Sequence, residues 1–226
     1  MDTELESGVF LHYKFTVNFI RVITSYMSPA KATFTCDIVL DDEVSQFDLN
    51  VRNAFDRIKG WISMKENMLV YSKDNPLGKL LESYKDEDGD TIHNERMILP
   101  YEPVDDMIAL AFLRKINAIG SGFVSVGSIS MTASDSEGME VTAFGENSDY
   151  FPSMEDWMGE RTYFSRPWWD RNDASSIDTV PPEGADLNSA PDYAISLADT
   201  IAAPEQETKI IRPEFKPRII KGDLDV

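Results

Sequence analysis

Tyr13-Lys14-Phe15-Thr16-Val17-Asn18-Phe19 alternates apolar and polar residues without a break. Side chains on a strand point to opposite faces in turn, so this is a strand with one buried and one wet face. The pattern runs on through Ile20, Val22 and Ile23 with a change of phase. Ser25–Lys31, which contains Ser28-Pro29, reads as a turn. Phe34, Cys36, Ile38 and Leu40 then alternate again, so the two runs predict an antiparallel hairpin.

Working outward, Val51, Phe55, Ile58 and Ile62 recur at helical spacing, with Ala54 and Trp61 beside them, and predict a helix from about Phe47 to Met64. Met68–Tyr71 reads as a short strand, Asn75-Pro76 as a helix start before Leu77, Leu80 and Leu81, and Met97–Leu99 as a strand closed by Pro100. A second long helix follows Pro103. Asp105 and Asp106 suit its positive end, Arg114 and Lys115 its negative end, and Gly120 its cap. Its residues Met107, Ile108, Leu110, Ala111, Phe112, Leu113, Ile116 and Ile119 are apolar nearly all round, which predicts packing on more than one side. Phe123–Ala133 and Met139–Phe144 form a last hairpin turning at Asp135–Gly138, with a bulge expected at Gly127.

The order ββα-β(α)βα-ββ predicts an α+β domain over residues 1–146: a mostly antiparallel sheet with two main helices packed on it. Residues 147–226 differ. Eight of the twelve prolines lie there, and periodicity is confined to short helices expected at Ser153–Met158, with Ser153 and Asp156 as a capping box, and at Tyr193–Ile201. The rest reads as a long extended arm.

The arm divides into three. Residues 150–171 form an aromatic anchor in which Tyr150, Phe151, Trp157, Tyr163, Phe164, Trp168 and Trp169 are interleaved with Arg161, Arg166 and Arg171. Such a stretch either folds back over the core or grips a partner, since Trp, Tyr and Arg dominate binding hot spots. Residues 172–208 form an acidic spacer. Residues 209–226 are basic and apolar, with Ile210, Ile211, Arg212, Phe215, Ile219 and Ile220 set among two prolines. This tail can add as an edge strand to a neighbouring sheet.

Composition narrows the function. The chain has 226 residues, 42% of them hydrophobic, and a formal net charge of −19. That charge opposes nucleic-acid backbones and anionic membranes, both of which need Lys and Arg. A single cysteine, Cys36, excludes an intrachain disulfide and a Cys-rich zinc site. The acidic N-terminus is no secretory signal peptide, and no apolar run reaches membrane length, so a cytoplasmic or virion location is expected.

Catalytic patterns fail on spacing. Asp86-Glu87-Asp88-Gly89-Asp90 starts like a calcium loop, but Thr91 stands where the sharp turn needs Gly and Met97 where it needs a bidentate Glu. His12 and His93 belong to no metal-binding pair. Gly120-Ser121-Gly122 follows a helix instead of opening one. No catalytic residue, metal or cofactor is therefore expected. The reading that results is a non-enzymatic structural or assembly subunit of a larger protein complex, of the kind virions build with long arms. Its expected partners are other protein subunits, including copies of itself. The alternatives are an acidic inhibitor or nucleic-acid-mimicking decoy for a basic host site, and an enzyme with an unrecognised active site.

Overall fold

A computed structural model describes residues 9–24, 26–40, 48–85, 95–145 and 150–191, with 194 and 197. Strands β1 (Val9–Ile23) and β2 (Tyr26–Leu40) pair along their whole length as a hairpin. Helix α1 (Leu49–Met64), strand β3 (Met68–Ser72), helix α2 (Pro76–Ser83) and strand β4 (Arg96–Leu99) follow. Helix α3 (Asp105–Gly120), strands β5 (Ser125–Ala133) and β6 (Glu140–Phe144), and short helix α4 (Met154–Met158) complete the elements. No helix among the described residues is long and apolar enough to cross a membrane.

The class is α+β, but the sheet is mixed, not mostly antiparallel. Its order is β4-β3-β1-β2-β5-β6. The pairs β1–β2, β2–β5 and β5–β6 are antiparallel, whereas β1–β3 and β3–β4 are parallel. A parallel neighbour needs a long crossover, and α2 lies in the one between β3 and β4. Strands of that kind are covered on both faces and lose alternation. All five residues of β3 are buried, as are the last three of β4.

The turn of the first hairpin is tighter than Ser25–Lys31, and Pro29 lies inside β2 opposite Ile20. β5 meets β2 only from Ala32 onward, so the ladder bond that Pro29 cannot donate is not needed there. At the other end of that ladder the register jumps from Asp37↔Ser128 to Ile38↔Val126. The skipped residue is Gly127, where the sequence places a bulge.

Helices α1 and α3 cover one face. Phe34 stacks between Phe15, at 4.9 Å, and Phe112 of α3, at 4.4 Å, while Trp61 of α1 meets Phe112 edge-on at 5.2 Å. Tyr71 points the other way, onto α2. Gly78 of α2 sits so close that a Cβ there would fall within 3.0 Å of three Tyr71 atoms. Gly78→Ala is therefore expected to overpack this contact and destabilise the protein by about 1–3 kcal/mol, read from chemical denaturation.

Across its length the opposite face of the antiparallel half carries hydroxyls. Register places Lys14, Thr35, Ser130 and Thr142 in one transverse row and Thr16, Thr33, Thr132 and Glu140 in the next. At the sheet end by the β5–β6 turn, Arg21 of β1 is buried between Asp105 of α3, at 2.5 Å, and Asp135 of the turn, at 3.2 Å.

Candidate functional site

Residues 151–178 pack on the face of α3 that the sheet and α1 leave open. Phe151, Trp157, Trp168 and Trp169 are buried in the same cluster as the sheet core. Trp169 lies 4.8 Å from Phe151, 5.3 Å from Trp157 and 5.5 Å from Trp168. A buried indole N–H usually finds an acceptor, although that of Trp169 has none among the described residues. Trp168 donates its own to the Ile98 carbonyl at 2.9 Å, and Trp157 donates to Asp178 at 3.1 Å. The chain then runs beside β4, where Ile98 N–H donates to the Ser176 carbonyl at 3.1 Å and Ser176 Oγ donates to the Arg96 carbonyl. One edge of the sheet is thereby covered by its own arm.

Two wholly buried lysines fasten this segment. Lys115 of α3 donates through Nζ to the carbonyls of Trp168 and Arg171, each at 2.8 Å, and to Asp173 at 3.1 Å. Lys65, just past α1, donates to Glu95 and Ser176 Oγ at 2.9 Å and to the Ala174 carbonyl at 3.4 Å. Burial pushes Lys115 down to about 7 against the pull of Asp173, and lowers Lys65 against the pull of Glu95. Burial alone would raise Asp173; attraction to Lys115 and Arg171 outweighs it and holds the carboxyl below its usual range.

Arg171 ties the segment to itself. It bonds Asp173 at 2.8 Å, Asp178 at 2.6 Å, Ser175 Oγ at 2.8 Å and the Arg166 carbonyl at 2.9 Å, and its guanidinium stacks 3.7 Å from the Phe164 ring. Arg114 grips Asp170 with two bonds, at 2.9 and 2.6 Å. Ser153 caps α4 as expected, accepting from Asp156 N–H at 3.2 Å.

The predicted anchor residues thus separate. Phe151, Trp157, Trp168 and Trp169 are spent on the chain's own core, and Tyr163, Phe164 and Arg171 are half-buried beside it. Tyr150, Arg161 and Arg166 face outward; Arg161 reaches the Pro182 carbonyl at 2.8 Å. Ile210, Ile211, Arg212, Phe215, Ile219 and Ile220 lie outside the described residues, as do the Asp86–Asp90 turn, His93 and the helix expected at Tyr193–Ile201. Lys115 is the residue that sequence reasoning misplaced. The sequence reading sets it at the negative end of the helix, yet it lies before the last turn and is buried. The available clue is its position inside a helix that is apolar all round.

His12, Asp37 and Ser128 do come together, across three strands. His12 Nδ1 lies 2.8 Å from Asp37, and Ser128 Oγ donates to the other Asp37 oxygen at 2.6 Å. The bond from Ser128 is the main cause of the lowered Asp37 pKa. The carboxylate sits between the other two, so no imidazole nitrogen takes the serine proton, the step a nucleophilic triad requires. Among the described residues no cluster of His, Cys, Asp or Glu is set to hold a metal ion. An open cleft of about 450 Å³ lies between α3 and the arm, lined by Arg114, Asn117, Arg166 and Asp170 among others.

No protein-family model and no curated protein matches the chain. Among solved structures it is similar to an uncharacterized protein from Wolinella succinogenes, at 14% identity and a TM-score of 0.42, over 61% of this chain and 98% of that one. It is also similar to 6-pyruvoyltetrahydropterin synthase from Plasmodium vivax, at 9% identity and a TM-score of 0.33, over 61% of this chain and 96% of that one. The Plasmodium falciparum enzyme matches at 9% and 0.33, over 61% and 98%.

Proposed function

We propose that this chain is a non-enzymatic structural subunit that joins a larger protein assembly through residues 179–226. The observation that carries the reading is the way the arm is rooted. Up to Asp178 it is locked to the core by buried rings, two buried lysines and Arg171. From Thr179 to Ala190 almost every residue is exposed, including Val180 and Leu187. A fixed root followed by an exposed spacer suits a segment that reaches out to a neighbour. The basic, apolar composition of residues 209–226 supplies the grip on an otherwise acidic protein.

Limited proteolysis combined with native mass measurement tests this. The free chain is expected to be cut first between residues 179 and 226 while 151–178 resist, and the assembled form to protect both. A chain that stays monomeric at every concentration, with 179–226 as resistant as the core, would sink the proposal.

A further inference from the structure

The two edges of the sheet are unequal. β4 is covered by residues 173–178, whereas no described strand pairs with the outer edge of β6. An open edge carries unpaired N–H and C=O groups that accept another strand. β6 has features that would select its occupant. Glu137 and Glu140 are exposed beside it with no ion-pair partner among the described residues, and Met139 and Phe144 stand exposed at its two ends. The chain itself contains the complementary strand. Lys209-Ile-Ile-Arg212 and Arg218-Ile-Ile-Lys221 are four-residue basic and apolar runs, a length that suits five-residue β6. Their flanking prolines are tolerated in a strand that pairs on one side only.

We propose that the outer edge of β6 is the docking site for residues 209–221 of a neighbouring copy, added as a seventh strand. This rests on the assembly reading above and names the acceptor within it. A neighbour is taken as the donor because a tail paired to its own β6 would not join copies, which the assembly reading requires. The arm is rooted on the β4 edge and the acceptor lies on the opposite edge, five strand spacings away, or about 24 Å. A donor on one side and an acceptor on the other give head-to-tail association, which closes into a ring or continues as a filament.

Cysteine pairing in the full-length chain tests it. Thr142→Cys is combined in turn with cysteine at Ile210, Ile211, Ile219 or Ile220; native Cys36 is buried. Mild oxidation is expected to give covalent multimers from at least one pair. Mixing a chain bearing only Thr142→Cys with one bearing only the tail cysteine is expected to link the two. Glu140→Lys with Thr142→Lys, both exposed, is expected to weaken self-association at least tenfold and leave the circular dichroism unchanged. A disulfide formed only within monomers places the tail on its own sheet and overturns the proposal. Assembly that neither crosslinks nor responds to the lysines overturns the β6 site but leaves the assembly reading standing. A monomer with no crosslink at any concentration removes both.

Discussion

Trp168→Ala is expected to lower the free energy of unfolding by about 3–5 kcal/mol, the range for emptying a large buried aromatic site. Trp168 has no exposed surface, so the whole ring volume becomes a void between α3, β4 and the rest of the arm. Two further losses follow. The Ile98 carbonyl loses the indole N–H as donor, and the ring contacts with Trp169 disappear. Trp168→Phe separates the terms: it keeps most of the volume and loses the hydrogen bond, and is expected to cost about 1–3 kcal/mol. The measurement is a shift of the denaturation midpoint at constant slope, which assigns the change to stability. A loss below 1 kcal/mol for the alanine variant would mean that residues 151–178 are an appendage and not part of the core. A second readout is proteolysis, because a loosened arm would be cut between 151 and 178 in the variant and not in the wild type.

This expectation follows one of the two readings the aromatic stretch allows, folding back over the core, and the reason the sequence left both open is physical. Rings that fill a core and rings that grip a partner have the same composition. What separates them is the open face of α3, which exists only in three dimensions. The all-round apolarity of α3 announces that something covers a second side, but does not say what. The antiparallel half of the sheet is legible for the opposite reason. One of its faces is wet, so Phe15, Val17 and Phe19 alternate with Lys14, Thr16 and Asn18, and Gly127 marks its bulge. The parallel half is buried on both faces, so Met68–Tyr71 reads only as a short apolar run with no direction. Pro29 misleads because its usual meaning, a turn, yields where no second strand asks for its N–H. The lysines are hidden by a related ambiguity. A Lys near a helix end is ordinarily solvated, and nothing local reveals that three acceptors from residues 168–173 will close over Lys115.

Lys115→Ala is the second substitution expected to act strongly, at about 3–5 kcal/mol, the range for removing one partner of a buried charged pair. It leaves two backbone carbonyls and Asp173 facing an apolar gap. Its diagnostic feature is the dependence on pH. The amine has an ordinary value of 10.5 and is pushed down to about 7 in the folded chain. Below about 7 both states hold the proton, and the folded state bears the full penalty of a buried charge. Between about 7 and 10.5 the folded chain has released a proton that the unfolded chain still binds, so stability rises with pH across that window. Lys65, lowered by burial in the same way, acts with the same sign. Cys36 opposes both at the alkaline end. Its thiol is pushed up to about 12 from 9.0 by burial, so above about 9 the unfolded state gains by ionising and stability falls. The term from Lys115 is therefore isolated by difference. Wild type and Lys115→Ala share Cys36 and Lys65, so the gap between their unfolding free energies should widen from pH 7 to pH 9. A gap independent of pH would show that Lys115 keeps its proton throughout and that the clasp on residues 168–173 is a permanent ion pair.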